Sequence, residues 1–192
     1  MEHYYQSIGE DWFTYPNLYK SMVERFDNAH FVEVGCWKGR SVCYLAVEII
    51  NANKNIKVDC VDIFDYSEIQ SDIAPSEYQD IYGQLLENIK PVNHIVKPIK
   101  GESLKVSKFY PVESLDFVFI DAAHDYESVF NDIVSWYARV KKGGVIAGHD
   151  YESSNGVRLA VNKFFGEENI KKQENCWIYE KRKNSGHNFD SI

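Results

Sequence analysis

A short apolar segment followed by two glycines constrains this chain more than any other feature. Phe31-Val32-Glu33-Val34 has the composition of a buried strand, and a helical pattern of apolar residues begins at Ser41. Gly35 and Gly39 lie between the two elements. In α/β folds, a strand that turns tightly into a helix can hold a nucleotide-like ligand at the helix N-terminus. The pattern predicts a ligand-binding turn in which Glu33 attracts positive charge and the glycines leave room for the ligand.

The bulk properties of the chain favour a single globular domain. With 192 residues, 44% of them hydrophobic, the chain can bury a substantial core. We expect one domain over residues 1–183, with a lead-in segment at 1–28, and a frayed tail at 184–192. The net charge of −8 would repel a phosphate backbone, so nucleic acid is not an expected partner.

Location is predicted from the apolar runs and the cysteines. No apolar run approaches the roughly 20 residues that a membrane span needs, and the N-terminal residues do not resemble a secretory signal. The four cysteines lack the paired spacing of a zinc site: Cys36, Cys43, Cys60 and Cys176. We therefore expect buried free thiols, a cytoplasmic location and no membrane partner.

Strand-like and helix-like segments alternate along the chain, which predicts an α/β fold with a mostly parallel sheet. The predicted strands are 31–34, 56–61, 94–99, 115–120 and 145–147, followed by a hairpin of 170–172 with 176–181. The predicted helices are 16–27, 41–50, 76–89, 103–109, one that starts near 126, and 157–165. The Lys141-Lys142-Gly143-Gly144 segment is predicted to be a helix stop and turn.

Polar residues follow the second and third predicted strands. Asp62 ends the second strand, where an acid can accept hydrogen bonds from ribose hydroxyls. The alternative is that Asp62 is a helix cap or a loop carboxylate. Gly101-Glu102-Ser103 follows the third strand and either borders a ligand or starts a helix at Ser103.

A second group of polar residues follows the fourth and fifth strands. Asp121 ends one strand, and His149-Asp150 ends the other. Neighbouring strands lie roughly 5 Å apart, so these side chains could converge and hold a divalent cation. The alternative is a hydrogen-bonded cluster without metal. His124, three residues past Asp121, could take a proton from a substrate hydroxyl, or could simply be a cap or surface histidine.

Taken together, residues 31–165 resemble the class I S-adenosylmethionine (SAM) methyltransferases. The Glu-x-Gly-x-x-x-Gly spacing resembles their first motif, and the later segments resemble methyltransferase family 24 more narrowly. The matching residues are Ile120-Asp121, His124-Asp125-Tyr126, Val129, Gly143-Gly144-Val145-Ile146 and His149-Asp150-Tyr151, followed by Gly156-Val157, Ala160-Val161 and Phe164.

This resemblance implies a three-layer Rossmann-like methyltransferase fold with a seven-stranded, mostly parallel sheet whose last strand is antiparallel. It also implies a SAM site, a short turn after the third strand against the adenine, and catalytic roles for His124 and His149. The cofactor residues implied are Glu33, Gly35, Trp37, Gly39, Ser41, Asp62, Ile63, Glu102, Ser103 and Asp121.

A more distant similarity to catechol-type O-methyltransferases bears on the cation. Those enzymes have a Lys base and an Asp-Asn pair, where this chain has His124 and His149-Asp150. The candidate cation ligands here are Asp121, His149 and Asp150, with Mg²⁺ or another divalent ion as the candidate metal.

We expect an O-methyltransferase that acts on a small hydroxylated acceptor, with a sugar as one candidate. The alternatives are an NAD(P)-dependent oxidoreductase, which the glycine spacing disfavours, and a SAM-binding fold without turnover. A lid is expected from residues 1–15 or from loop 63–75. The aromatic residues of the N-terminal arm could stack on the acceptor or, as we favour, bury in a homodimer interface: Tyr4, Tyr5, Trp12, Phe13 and Tyr15.

Overall fold

The computed structural model describes residues 1–65 and 79–182, which form one seven-stranded sheet flanked by helices. The strands are β1 (Asn28–Val34), β2 (Asn55–Asp62), β3 (Val96–Lys100), β4 (Leu115–Ile120), β5 (Val140–Gly148), β6 (Lys171–Gln173) and β7 (Cys176–Glu180). The helices are α1 (Pro16–Arg25), α2 (Arg40–Asn51), α3 (Ile81–Asn88), α4 (Ser103–Val106), α5 (Tyr126–Tyr137) and α6 (Asn155–Phe165).

The strand order confirms the predicted mostly parallel sheet. The order is β3-β2-β1-β4-β5-β7-β6, and β1 to β5 pair in parallel. The last strand, β7, is antiparallel to both β5 and β6. The chain order reverses beside β1, which has β2 on one side and β4 on the other. Because a ligand crevice opens at such a reversal, the carboxyl ends of β1, β2, β4 and β5 define one functional edge.

Helices cover both faces of the sheet. The side chains of β4 show why: Phe117 and Phe119 pack into the core cluster that contains α1 and α2, whereas Val118 and Ile120 pack into the cluster that contains α5 and α6. Successive strand residues point to opposite faces, so a strand covered on both sides is mostly apolar. The one polar residue of β4, Asp116, is buried with partners, since it accepts the His30 N–H and pairs with Lys141. This explains the uninterrupted burial of β4.

The prediction of a turn at Lys141–Gly144 is wrong, because these residues lie within β5. Leu115 pairs with Val140 and Phe117 pairs with Val145, so β5 carries extra residues at an irregularity in the ladder. Gly143 takes a φ of +83°, which the bulge requires and which a side chain would resist. The glycines that suggested a turn therefore serve a bulge.

The N-terminal aromatic residues pack on their own chain. Phe13 and Tyr15 are buried in the core cluster of α1 and α2, so the expectation that they serve a partner's surface is wrong for these two. Trp12 is 52% exposed. The homodimer stays a prediction.

Two other predictions can be compared with the described residues, and further predicted segments lie mostly outside them. The four cysteines are buried and free, as expected. No helix in the described part of the chain is long and apolar enough to cross a membrane. Most of the candidate lid loop 63–75, the start of the predicted helix 76–89 and the tail 184–192 lie outside the described residues.

We predict that Gly35→Ala destabilises the protein far more than Gly9→Ala. Both glycines have positive φ, but a Cβ at Gly35 would lie 1.9 Å from the Asp121 carbonyl oxygen, whereas a Cβ at Gly9 would meet the flexible Lys38 side chain at 3.1 Å. We expect a loss of about 3 kcal/mol or more for Gly35→Ala and about 1 kcal/mol for Gly9→Ala in urea unfolding. Equal losses would contradict the backbone clash.

Candidate functional site

The turn between β1 and α2, residues 35–39, is called the Gly35 turn here, and it packs against the end of β4. Gly35 has a φ of +87° and donates its N–H to the Val61 carbonyl at 2.8 Å. A Cβ on Gly35 would meet the backbone of Asp121 and Ala122. The sequence argument that this glycine leaves room for a ligand is therefore corrected: its missing side chain lets the turn nest against the end of β4.

Asp62 organises the same turn from the end of β2. Its side chain is buried, and one oxygen, Oδ2, accepts the N–H groups of Cys36 and Trp37 at 2.9 and 3.0 Å. Its other oxygen, Oδ1, accepts the N–H of Phe64 at 2.9 Å. Backbone donors therefore fix the carboxylate at the crevice, and contact with a ribose stays a prediction.

Glu33 is a buried carboxyl group with two hydroxyl partners. Tyr19 donates to Oε2 at 2.6 Å and Ser41 donates to Oε1. Burial raises the pKa of Glu33 to about 8, although both hydrogen bonds favour the charged form. The site therefore holds an acid whose charge a cationic ligand would stabilise.

The remaining predicted cofactor residues are dispersed along the same edge. Gly39 is the N-cap residue of α2 and has a φ of +87°, and the Trp37 indole donates to Glu10 at 2.7 Å. Ile63 is 47% exposed beside Asp62. Glu102 is exposed and pairs with Lys105.

Ser103 is engaged with α5. Its hydroxyl donates to Asp132 at 2.5 Å and accepts the Trp136 indole N–H at 2.8 Å. Ser103 is the first residue of α4 and Glu102 is its N-cap residue, so the helix-start alternative applies to this segment. A contact with adenine stays a prediction.

The ends of β4 and β5 bring Asp121, His124 and Asp150 together. Each offers one potential ligand atom, and these atoms lie within 4.8 Å of one another. His124 Nε2 is 2.9 Å from Asp150 Oδ2. The donor set of two carboxylates and an imidazole suits a divalent cation.

His149 lies in the same cluster but is oriented differently. Its Nδ1 is 3.4 Å from Asp150 Oδ1 and 3.8 Å from Asp121 Oδ1, while its Nε2 is 3.0 Å from the Thr14 hydroxyl. The geometry thus groups His124 with the two carboxylates, whereas the sequence argument chose His149. Its predicted ligand and catalytic roles stay predictions.

The cluster separates its two carboxyl groups electrostatically. Burial raises the pKa of Asp121, with the charge of Asp150 adding to that effect. Burial also opposes the charged form of Asp150, but hydrogen bonds from both imidazoles hold its pKa well below the usual range. The hydrogen bond to Asp150 raises the pKa of His124. Asp150 is therefore the charged partner of both histidines.

A strap of residues 8–15 crosses the Gly35 turn and reaches the cluster. Glu10 bonds to Lys38 Nζ at 2.8 Å, Thr14 contacts His149, and the Tyr15 hydroxyl donates to Asp121 Oδ2 at 2.9 Å. Sequence reasoning named this segment as a lid candidate but missed the polar contacts. The four-residue spacing of Tyr15 and Tyr19 predicts that both lie on one face at the start of α1, but it does not specify their partners.

A family comparison fits this geometry. The family model described as "Methyltransferase domain", methyltransferase family 24, matches residues 32–151. The chain belongs to this methyltransferase family. Membership implies SAM as the methyl donor and sets aside the nicotinamide-dependent oxidoreductase. The match includes the Gly35 turn, Asp62, and the whole His124–Asp150 cluster.

Individual proteins resemble this chain more distantly. An uncharacterized protein, R132 of Acanthamoeba polyphaga mimivirus, is 28% identical over 147 residues, which cover 71% of this chain and 59% of that relative. The chain thus spans about three fifths of the relative's length.

Two solved structures share the fold. The O-methyltransferase NovP has a TM-score of 0.64 and 16% identity, over 87% of this chain and 79% of NovP. CalS11, a TDP-rhamnose 3'-O-methyltransferase of calicheamicin biosynthesis, has a TM-score of 0.60 and 13% identity, over 86% of this chain and 76% of CalS11. These likenesses extend to the fold alone.

We predict that Glu33→Gln removes a pH-dependent part of the protein's stability. The pKa of Glu33 is raised in the folded state, so its contribution is fully present below the unfolded pKa of 4.5 and is lost as the pH rises through about 8. Between pH 5 and 7 the wild type should lose stability relative to Glu33→Gln by about 1.4 kcal/mol per pH unit. Urea unfolding at several pH values measures this difference.

The control for this prediction is Glu24→Gln at an exposed position of α1. Its unfolding free energy should keep a constant offset from the wild type over the same range. A constant offset for Glu33→Gln as well would contradict a protonated Glu33.

Proposed function

We propose that this protein is a SAM-dependent O-methyltransferase that acts on a small hydroxylated acceptor, with a sugar as the leading candidate. The observation that carries the proposal is the juxtaposition of two sites. The Gly35 turn, where the methyl donor is expected, packs directly against Asp121, which belongs to the His124–Asp150 cluster. The residues that we expect to bind the acceptor hydroxyl are thus adjacent to the turn that we expect to bind the methyl donor.

The acceptor class is inferred from charge and from one likeness. The chain has a net charge of −8, and the cluster of Asp121, His124 and Asp150 contains two carboxyl groups. This negative charge disfavours a phosphate-rich acceptor such as nucleic acid. CalS11, which shares the fold, acts on the sugar of TDP-rhamnose according to its name. These points support an uncharged hydroxyl acceptor such as a sugar.

When bound, SAM supplies an electrophilic methyl group. The chain must hold the acceptor hydroxyl in line with it and exclude water. A positive charge in the crevice would stabilise the ionised form of buried Glu33, Asp62 fixes the Gly35 turn, and the strap covers the turn from outside. These residues bind and orient the donor without taking part in bond making.

We assign His124 as the general base. Its Nε2 faces Asp150 at 2.9 Å, so a neutral imidazole donates from Nε2 and leaves Nδ1 to accept a proton. The side chain is 57% exposed, which leaves it open to an acceptor. Asp150 thereby fixes the tautomer and stabilises the imidazolium that forms.

A divalent cation would be held by Asp121 and Asp150. When bound, it would lower the pKa of the acceptor hydroxyl. A nitrogen that coordinates a cation cannot also accept a proton, so we assign the cation to the two carboxylates and the proton to His124.

We predict that the purified protein binds SAM and S-adenosylhomocysteine in calorimetry and transfers labelled methyl groups. The acceptor panel should contain nucleotide sugars, free sugars, catechols and a transfer RNA. Transfer to a sugar or catechol oxygen is expected. Binding without any transfer would favour a fold without turnover, and transfer to RNA alone would contradict the acceptor class.

We predict that His124→Ala lowers kcat about 100-fold or more, because general-base catalysis contributes that much. The Kd values for S-adenosylhomocysteine and Mn²⁺ should stay within about twofold, since the variant removes neither the Gly35 turn nor a carboxylate, and Ser153 and Asn175 still donate to Asp150. The matched control is His94→Ala, an exposed histidine just before β3 at the opposite edge of the sheet. Unchanged turnover would remove His124 from the mechanism, and lost Mn²⁺ affinity would make it a ligand.

A further inference from the structure

Two tyrosines at the start of α1 contact two different carboxyl groups of the candidate site, Asp121 and Glu33. Tyr15, the N-cap residue, donates its hydroxyl to Asp121 Oδ2 at 2.9 Å. Tyr19, one helical turn later, donates to Glu33 Oε2 at 2.6 Å. The rings pack on each other with centroids 5.1 Å apart, and both also pack on Phe119. The start of α1 therefore contacts both Glu33, beside the Gly35 turn, and Asp121, in the cluster with His124 and Asp150.

We propose that Tyr15 and Tyr19 are positioning residues, the first holding Asp121 for the cation and acceptor and the second holding Glu33 for SAM. This inference rests on the proposed function and adds two residues to it. Neither tyrosine touches a reacting atom in this assignment. Each acts through the carboxylate that it orients.

The hydrogen-bond partners show why Asp121 depends on Tyr15. Within residues 1–65 and 79–182, Tyr15 is the one group that donates a hydrogen bond to the Asp121 carboxylate. The nearest imidazole nitrogen, on His149, is 3.8 Å away, which is beyond hydrogen-bond distance. The single bond from Tyr15 therefore selects one orientation of this carboxylate.

The orientation of the Glu33 carboxyl group depends on Tyr19 in the same way. Its two oxygens take one hydroxyl each, from Tyr19 and from Ser41. The carboxyl group is 1% exposed, so water does not replace a lost donor. Loss of the Tyr19 hydroxyl leaves one buried oxygen without a partner, which is costly and favours rotation of the group.

Substitution by phenylalanine would remove the hydroxyl groups of Tyr15 and Tyr19 and keep the packing of their rings. Tyr15 and Tyr19 are 2% and 0% exposed, and their rings lie within aromatic clusters that a phenylalanine would also fill. Tyr15→Phe and Tyr19→Phe thus remove one oxygen atom each from a fixed position. The third variant, Tyr44→Phe, is the control, because Tyr44 packs on Phe13 and is hydrogen bonded to neither carboxylate within the described chain.

The test compares the three variants in two binding measurements. Calorimetry gives the Kd for S-adenosylhomocysteine, and electron paramagnetic resonance gives the Kd for Mn²⁺. We expect Tyr15→Phe to weaken Mn²⁺ binding about tenfold or more and to leave S-adenosylhomocysteine within about twofold. Tyr19→Phe should do the reverse, and Tyr44→Phe should change neither. Variants that shift both constants together, or neither, would overturn the proposal.

Crystal structures of the variants test positioning without any ligand. The Asp121 carboxylate should turn in Tyr15→Phe and keep its place in Tyr19→Phe, and Glu33 should show the opposite pattern. Carboxylates that keep their places in both variants would overturn the proposal, even in an active methyltransferase. A wild type that binds neither probe refutes the proposed function, while the crystal structures still decide the roles of the two tyrosines.

Discussion

The close approach of the Gly35 turn to the backbone of Asp121 is the contact on which the site depends. Gly35 closes β1 and Asp121 closes β4, and these strands are neighbours at the reversal of strand order. The absence of a side chain at Gly35 lets the two chain segments meet within van der Waals distance. As a result, the Gly35 turn and the cluster of Asp121, His124 and Asp150 lie side by side, and the proposed cofactor and reaction sites would share one wall. Any side chain at position 35 would separate them.

The second constraint is negative charge, because four carboxyl groups gather at this edge of the sheet. Each has different hydrogen-bond partners. Asp62 accepts backbone N–H groups, and Glu33 accepts two hydroxyls and has a raised pKa. Asp150 accepts hydrogen bonds from two imidazoles, and Asp121 accepts one from a tyrosine hydroxyl. Like charges in a partly dry crevice repel one another. A cationic occupant would relieve this repulsion. Both a sulfonium donor and a divalent cation meet that requirement, which is why the electrostatics agree with the family.

The sequence was most informative where a local pattern determines structure directly. The strand β4 was bounded correctly as Leu115–Ile120, since a strand buried on both faces is mostly apolar and the polar Asp121 follows it directly. The parallel order followed from alternation and the family resemblance. The Lys141–Gly144 bulge was not predictable, because glycines and lysines in a row are equally typical of a turn. Its position depends on pairing with a strand distant in sequence.

The polar contacts of the strap could not be predicted from the sequence, because they depend on the tertiary structure. Its polar contacts join residues 10–15 to residues 37, 38, 121 and 149, so no local pattern could specify them. The aromatic content of this segment suggested a partner surface, but burial within the same chain satisfies the same hydrophobic demand. Because the strap continues directly into α1, the segment that covers the crevice and the helix that contacts its carboxylates are one continuous element. Any displacement of the strap must therefore break the Thr14 contact with His149 and the Tyr15 bond to Asp121, which couples the cover of the site to the geometry of its reactive groups.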